Sequence, residues 1–278
     1  MKFVKIHGLA NDFIVLEQDD SVDYPGLARR LCLRHTGVGA DGLLVVKRLE
    51  EGWQMKIFNA DGSEAEMSGN GIRCVAAFIC HKYGKTPSLD ITTPTGKKTL
   101  KLISNNNYTY QFQVTIGKPT FTPSLIPIAL PDSLERVIDY PVQLPSGQVL
   151  VTALSVGNPH CCVFVEDFNF DWKTIGTQLE QHPLFPSRTN VEFIRKTNSS
   201  TSIEVRLWER GVGITASSGT GASAAAMAAI LKGLVTPPVK VEMPAGTLTI
   251  ALDSDEQLCF QGPAEIVFEG SLCDPKST

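Results

Sequence analysis

The sequence predicts two similar α+β lobes. Three observations carry that expectation. Short strand-like segments dominate the chain. Two helices of small apolar residues are each opened by the same kind of turn, Ser68-Gly69-Asn70-Gly71 and Ser218-Gly219-Thr220-Gly221. The elements leading to each turn also follow a similar order in the two halves, a weak internal repeat of layout more than of identity. With 278 residues, the chain has ample length for two domains of ordinary size. The expected limits are 1–116 for an N-terminal lobe, with the last strand, 264–278, returning to it, and 117–263 for a C-terminal lobe. A ligand site is expected in the cleft between them.

Taken in order, 2–6, 13–17, 43–48 and 54–58 read as strands by β-branched or aromatic content between Gly and Asp. Residues 26–35 read as a helix stopped by Thr36-Gly37. After the first Ser-Gly-x-Gly turn, 72–83 carry apolar residues at helical spacing and stop at Gly84. Residues 89–93, 97–103 and 109–116 follow as strands in hairpin-like succession. Six prolines between Pro119 and Pro145 (Pro131 among them) mark this stretch as a linker. Strands at 148–155 and 161–165, a helix at 172–181 halted by Pro183, and strands at 191–195 and 202–208 then lead to the second turn. Its Ala-rich helix, 222–231, ends at Lys232-Gly233. Strands at 239–242, 247–252 and 265–268 close the chain.

Composition excludes several classes. Hydrophobic residues make up 42% and charged residues 19%, as in globular proteins in water. A net charge of −4 offers no basic footprint, so nucleic acid is not an expected partner. No apolar run approaches the roughly 20 residues of a membrane-spanning helix. The N-terminus alternates like a strand and has no apolar signal-peptide core, so a cytoplasmic address is expected. Seven cysteines without a C-x-x-C pair fit reduced, mostly buried thiols. The five histidines show no metal-ligand spacing, and no metal site is expected.

The two turns carry the chemistry. A glycine beside each serine lets backbone approach a ligand with no Cβ in the way. Free N–H groups at the positive end of the helix dipole suit a carboxylate or phosphate. Either serine alone reads as an ordinary N-cap; as a pair they suggest two groups acting on one small anionic ligand. Glu209 beside Arg210 is either a solvated ion pair or, near a carboxylate-binding helix end, a fork for a second carboxylate. Asn158 and His160 hold a turn and a satisfied histidine, or orient and protonate a ligand. Asn11 has the same two readings.

The strings His7–Phe13, Asn59–Gly71, Asn158-Pro159-His160, Thr189–Phe193 and Trp208–Gly221, in this order and spacing, resemble the diaminopimelate epimerase family across essentially the whole chain. The resemblance implies two pseudo-symmetric lobes, each a barrel-like, mostly antiparallel sheet around a central helix. It implies a cofactor-independent, two-base inversion at the α-carbon of diaminopimelate, in lysine and peptidoglycan-precursor synthesis. The family's substrate contacts fall on Asn11, Asn59, Gly69, Asn70, Asn158, Asn190, Glu209, Arg210, Gly219 and Thr220, and its supporting catalytic residues on His160 and Glu209. Relatives pair as homodimers, which an exposed strand edge would permit here.

The family's two catalytic cysteines fall on Ser68 and Ser218. A thiol has a reference pKa near 8.5, lowered at helix N-termini, and so makes a workable base, whereas a serine hydroxyl needs an adjacent base. A family position associated with a substrate-contacting glutamine is Gly42, and Ile214, Ser217 and Ser223 are also atypical. Three readings stay open: an epimerase with both positions engineered, a natural divergent member in which His160 and Glu209 assist the serines, or a pocket without turnover. The changes at Ile214, Ser217 and Ser223 favour divergence. The rival functions are an amino-acid dehydratase or lyase, and an amino-acid-binding protein.

Overall fold

The computed structural model describes residues 1–130 and 134–273. Pro131 of the expected linker and residues 274–278 of the expected returning segment lie outside the described residues. The chain divides into two compact units, Met1–Val114 with the chain from Gln261 on, and Thr115–Phe260.

In the first unit the strands are β1 (Lys2–Gly8), β2 (Asn11–Glu17), β3 (Gly42–Arg48), β4 (Trp53–Asn59), the short β5 (Glu64–Ala65), β6 (Ser88–Thr93), β7 (Gly96–Asn106) and β8 (Thr109–Gly117). The last strand of the chain, β17 (Leu258–Ser271), joins them. Neighbours pair β1–β2–β3–β4–β6–β7–β8–β17 and back to β1, closing a barrel. Within it, β2–β3 and β4–β6 run parallel. Helix α2 (Gly69–Tyr83) packs against β1 to β4, and every residue from Asn70 to Cys80 is buried. A helix apolar all round needs such an enclosure. Helix α1 (Tyr24–Leu31) buries Leu27, Ala28 and Leu31 against β3 and β4.

The second unit repeats the plan. Its strands are β9 (Val137–Leu144), β10 (Gly147–Ser155), β11 (Pro159–Val165), β12 (Asn190–Lys196), β13 (Ser202–Glu209), β14 (Gly213–Thr215), β15 (Val239–Met243) and β16 (Gly246–Leu252). They pair β9–β10–β11–β12–β13–β15–β16, with β14 folded back on β13. Helix α4 (Gly219–Leu231) packs against six of these strands and is buried at Gly219 and from Gly221 to Ala229. Its alanines suit it to a close fit inside the sheet. Helix α3 (Trp172–Glu180) lies across β12, β13 and β14.

The expected strands and helices are present, with adjusted ends. The first helix begins at Tyr24, with Pro25 in its first turn, and ends at Leu31, not His35. The chain beyond Leu31 leaves the helix at Cys32, and Gly39 bonds back to the Leu31 carbonyl with φ of 79°. The proline-rich stretch is no linker. Ile126, Ile128, Val137, Val142 and Leu144 are buried in the core of the second unit, and residues 137–144 form a full strand. Pro141 sits in that strand opposite Leu150; a proline gives up one ladder N–H, which an edge position tolerates. The described cysteines are all free, with only Cys273 exposed. Among the described residues no helix is long and apolar enough to cross a membrane, and no group of His, Cys, Asp and Glu is placed to hold a metal ion.

Candidate active site

In the first unit, Ser68 is the extended N-cap of α2 and its Oγ accepts the Gly71 N–H at 3.0 Å. Such a cap stabilises a helix by about 1 kcal/mol, and it uses a lone pair while leaving the hydroxyl proton free to donate. Gly69 and Asn70 form the first turn. Below them Arg73 is fully buried. It donates to the Gly69 carbonyl at 2.9 Å, to Asn70 Oδ1 at 2.8 Å and to the Pro263 carbonyl at 3.1 Å. Burial lowers its pKa to about 10, so it stays cationic at neutral pH.

Because Arg73 donates to Asn70 Oδ1, the Asn70 amide nitrogen faces Asn11, donating to its Oδ1 at 3.4 Å. Asn11 in turn donates to Asp41 Oδ2 at 2.8 Å. Its place is set by a two-residue hairpin loop in which Leu9 (φ 53°) and Ala10 (φ 61°) are both left-handed, the geometry of a type I′ turn but without glycine. Backbone strain of that kind gathers at functional sites. Gly8 keeps the space just before it open: a Cβ there would lie 3.2 Å from Arg73 Nη2 and 3.3 Å from the Asn70 carbonyl. Asp12 anchors the loop from the other side. Burial pushes its carboxyl up, but hydrogen bonds from Arg34 and Lys5 outweigh it and hold the pKa down at about 2. Asn59, at the end of β4, hydrogen-bonds Ser63 at 2.9 Å. Gly42 pairs with it, and a Cβ at that position would lie 3.0 Å from the Phe58 carbonyl, a tight fit.

In the second unit, Ser218 is the equivalent N-cap of α4, with φ of −148° and Oγ accepting Gly221 N–H at 3.2 Å. Thr220 Oγ1 lies 3.4 Å from it. Burial pushes the Glu209 carboxyl up, opposed by the neighbouring Ser218 hydroxyl and by the nearby His160. Gly219 packs under Phe260, whose ring would lie 3.2 Å from a Cβ.

His160 is fully buried and held at both nitrogens. Nδ1 is 2.7 Å from Glu192 Oε1 and Nε2 is 2.9 Å from Asn158 Oδ1. Burial raises the Glu192 carboxyl, with His160 opposing and Glu209 adding to the rise. Two carboxylates and a histidine therefore share the base of α4. Gly221 makes this possible, since a Cβ there would lie 2.8 Å from Leu207 Cδ2 and 3.1 Å from Glu192 Oε1. Asn190 donates to the Pro159 carbonyl at 2.9 Å and accepts the Arg210 N–H at 3.0 Å, tying the strand before His160 to the Arg210 turn.

Thus the first unit brings together Ser68, Gly69, Asn70 and Asn11. The second brings together Ser218, Gly219, Thr220, Glu209, His160 and Asn158, with Asn190 and Arg210 as an adjoining pair. Three functional neighbours escape the sequence reading: Arg73, Glu192 and Glu180, a buried carboxylate on α3 that accepts the Trp208 indole N–H at 2.7 Å. A charged residue inside an otherwise small, apolar helix pattern was the available signal for Arg73. Glu192 and Glu180 gave none, because only the fold aims them inward.

The diaminopimelate epimerase family model matches residues 3–122 and 152–267. A diaminopimelate epimerase of Halothermothrix orenii is 41% identical over 98% of this chain and 98% of its own length. One from Gloeothece citriformis is 42% identical over 97% of this chain and 98% of its own. Among solved structures, a probable proline racemase from Agrobacterium radiobacter with bound carbonate has a TM-score of 0.70 at 13% identity, covering 99% of this chain and 94% of that one. A hydroxyproline epimerase from Agrobacterium vitis with bound trans-4-hydroxy-L-proline has a TM-score of 0.67 at 14% identity, covering 99% and 92%. The likeness to those structures is one of fold; the full-length identity to the curated relatives goes further, and the chain belongs to the diaminopimelate epimerase family.

Proposed function

We propose that this protein is a cofactor-independent amino-acid epimerase that interconverts LL- and meso-diaminopimelate, supplying lysine and peptidoglycan-precursor synthesis. The observation that carries the reading is the pair of serine-capped helix N-termini, Ser68 accepting the Gly71 N–H on α2 and Ser218 accepting the Gly221 N–H on α4, with Glu209 neighbouring the second. A serine hydroxyl is too weak an acid to ionise alone at neutral pH, so it handles a proton only beside a base. Glu209 is that base, and its raised carboxyl pKa brings its proton affinity nearer to the working pH than an exposed carboxylate's.

Ser68 and Ser218 are the two proton-handling groups, with Glu209 and His160 assisting. In the forward direction, Ser218 takes the substrate's α-proton as it passes its own to Glu209, and Ser68 gives its hydroxyl proton to the carbanion; water then reprotonates Ser68 while Glu209 releases its proton to solvent. The backbone N–H groups at the Gly69-Asn70 and Gly219-Thr220 turns bind the reacting carboxylate and stabilise the charge that spreads into it. Asn11 and Asn158 orient the reacting end, while Asn59, Asn190 and Arg210 receive the distal amino and carboxylate groups. Glu192 fixes the ring of His160. Glycine at 42 offers no side chain there, so the distal contacts rest on the other residues.

The test is incubation with LL-diaminopimelate in D₂O, without added cofactor, followed by α-proton NMR. Appearance of the meso isomer carrying an α-deuteron is expected. Loss of a β-substituent with a new keto acid marks a lyase instead, and tight binding without exchange marks a binding protein.

A further inference from the structure

Glu180 lies on the peripheral helix α3, 29 residues before the proposed base Glu209 in sequence (209 − 180 = 29), yet it is 4% exposed. A carboxylate is rarely buried without partners, and the partners of this one bracket the Glu209–Arg210 pair. Oε2 accepts the indole N–H of Trp208 at 2.7 Å, and Oε1 accepts the backbone N–H of Gly211 at 2.8 Å. Its counter-ion, Arg188, reaches Oε1 at 3.4 Å from a largely exposed position.

The four residues Glu209 to Val212 form a tight turn closed by the Val212 N–H to the Glu209 carbonyl at 3.1 Å, with Gly211 left-handed at φ 76°. A β-turn satisfies its closing N–H and leaves the two central ones outside. Here both are taken by side chains. Asn190 Oδ1 accepts the Arg210 N–H at 3.0 Å, and Glu180 accepts that of Gly211. The helix is held close by Gly176, one turn before Glu180, where a Cβ would lie 3.0 Å from Trp208 Cγ.

We propose that Glu180 is a positioning residue: by clamping Trp208 and Gly211 at once, it fixes the turn that presents Glu209 and Arg210 to the substrate. The inference rests on the substrate-facing role given above to Glu209 and Arg210. It requires two acceptor oxygens and not merely bulk. In Glu180→Gln one oxygen becomes an NH₂, which faces a donor whichever way the amide turns, and one clamp is lost. Adding Trp208→Phe removes the competing donor, so the amide oxygen can again accept from Gly211.

The experiment compares the wild-type chain, Glu180→Gln, and the double variant Glu180→Gln with Trp208→Phe. Each is measured for Gly211 and Arg210 amide hydrogen exchange by NMR and for diaminopimelate kinetics. In Glu180→Gln the exchange of Gly211 should quicken and KM should rise, each by about tenfold, with the smaller change in kcat. In the double variant both should recover toward wild type. Unchanged Gly211 protection, or lost protection with KM unmoved, or no recovery in the double variant overturns the proposal. If the wild-type chain leaves diaminopimelate untouched, the epimerase reading fails, and the exchange pattern of the three proteins still decides whether Glu180 holds the turn.

Discussion

The two Ser-Gly-x-Gly turns share their backbone but differ in charge. Five residues after each capping serine (73 − 68 and 223 − 218) a side chain donates back to the carbonyl of the first helical glycine: Arg73 to Gly69 at 2.9 Å, and Ser223 to Gly219 at 2.7 Å. The same local bond is thus made once by a buried cation and once by a neutral hydroxyl. Around Ser218 the neighbouring groups are acidic, with Glu209 near it and Glu192 held by His160 against the same helix turn. Around Ser68, no carboxylate of its own unit hydrogen-bonds the serine among the described residues, and the nearest charge below the turn is positive. One fold element therefore yields two environments, cationic below the first turn and acidic beside the second.

The largest expected effect restores the thiols. Ser68→Cys combined with Ser218→Cys should raise kcat/KM for diaminopimelate by about a thousandfold, roughly 4 kcal/mol, because thiolates form near neutral pH without borrowed basicity. No gain would mean that the surroundings of both turns have diverged as well. Next, Arg73→Met should destabilise the first unit by about 3 kcal/mol or more, since three oxygens lose a buried donor. Ser223→Ala should cost only about 1 kcal/mol. Denaturant unfolding of the pair compares the two turns directly; equal costs would erase the distinction between them.

How much of this contrast was legible in the sequence follows from whether a role is local or set by distant pairing. The capped turns were readable because serine, glycine and the small-residue helix are adjacent in the chain. Glu192 was not, because it meets His160 only through the parallel pairing that sets His160 beside Asn190, across a connection containing α3. Glu180 was hidden in the same way on an ordinary amphipathic helix. Strand β9 was masked by Pro141 and Pro145, and the first half of β17 by Gly262-Pro263, since both residue types read locally as breaks. Arg73 gave a faint signal, but its partners, the Pro263 carbonyl above all, lie far away in sequence.

Smaller effects sharpen the comparison through pH. Glu209→Gln should lower kcat about a hundredfold, roughly 2.7 kcal/mol. The wild type should lose activity as pH falls through the raised Glu209 value, because only the ionised carboxylate takes the Ser218 proton; the variant should lack that limb. A pH–rate profile reads both. In stability the two units respond to pH with opposite sign. Asp12, held at about 2 against an ordinary 3.8, contributes stability that is fully present above the ordinary value and lost as pH falls toward 2. Asp12→Asn should remove about 2 kcal/mol at neutral pH and flatten that acid limb in unfolding experiments. The raised carboxyls of the second unit carry the reverse sign, their contribution fading as pH rises through their folded values.

The most direct measurement of the central claim follows both isomers during the first few per cent of turnover of LL-diaminopimelate in D₂O. With two separate proton-handling groups, the meso product should carry deuterium at the inverted carbon while the remaining LL substrate keeps its proton. Equal labelling of both isomers from the start would place removal and return of the proton on a single group, and the pairing of Ser68 with Ser218 would be contradicted.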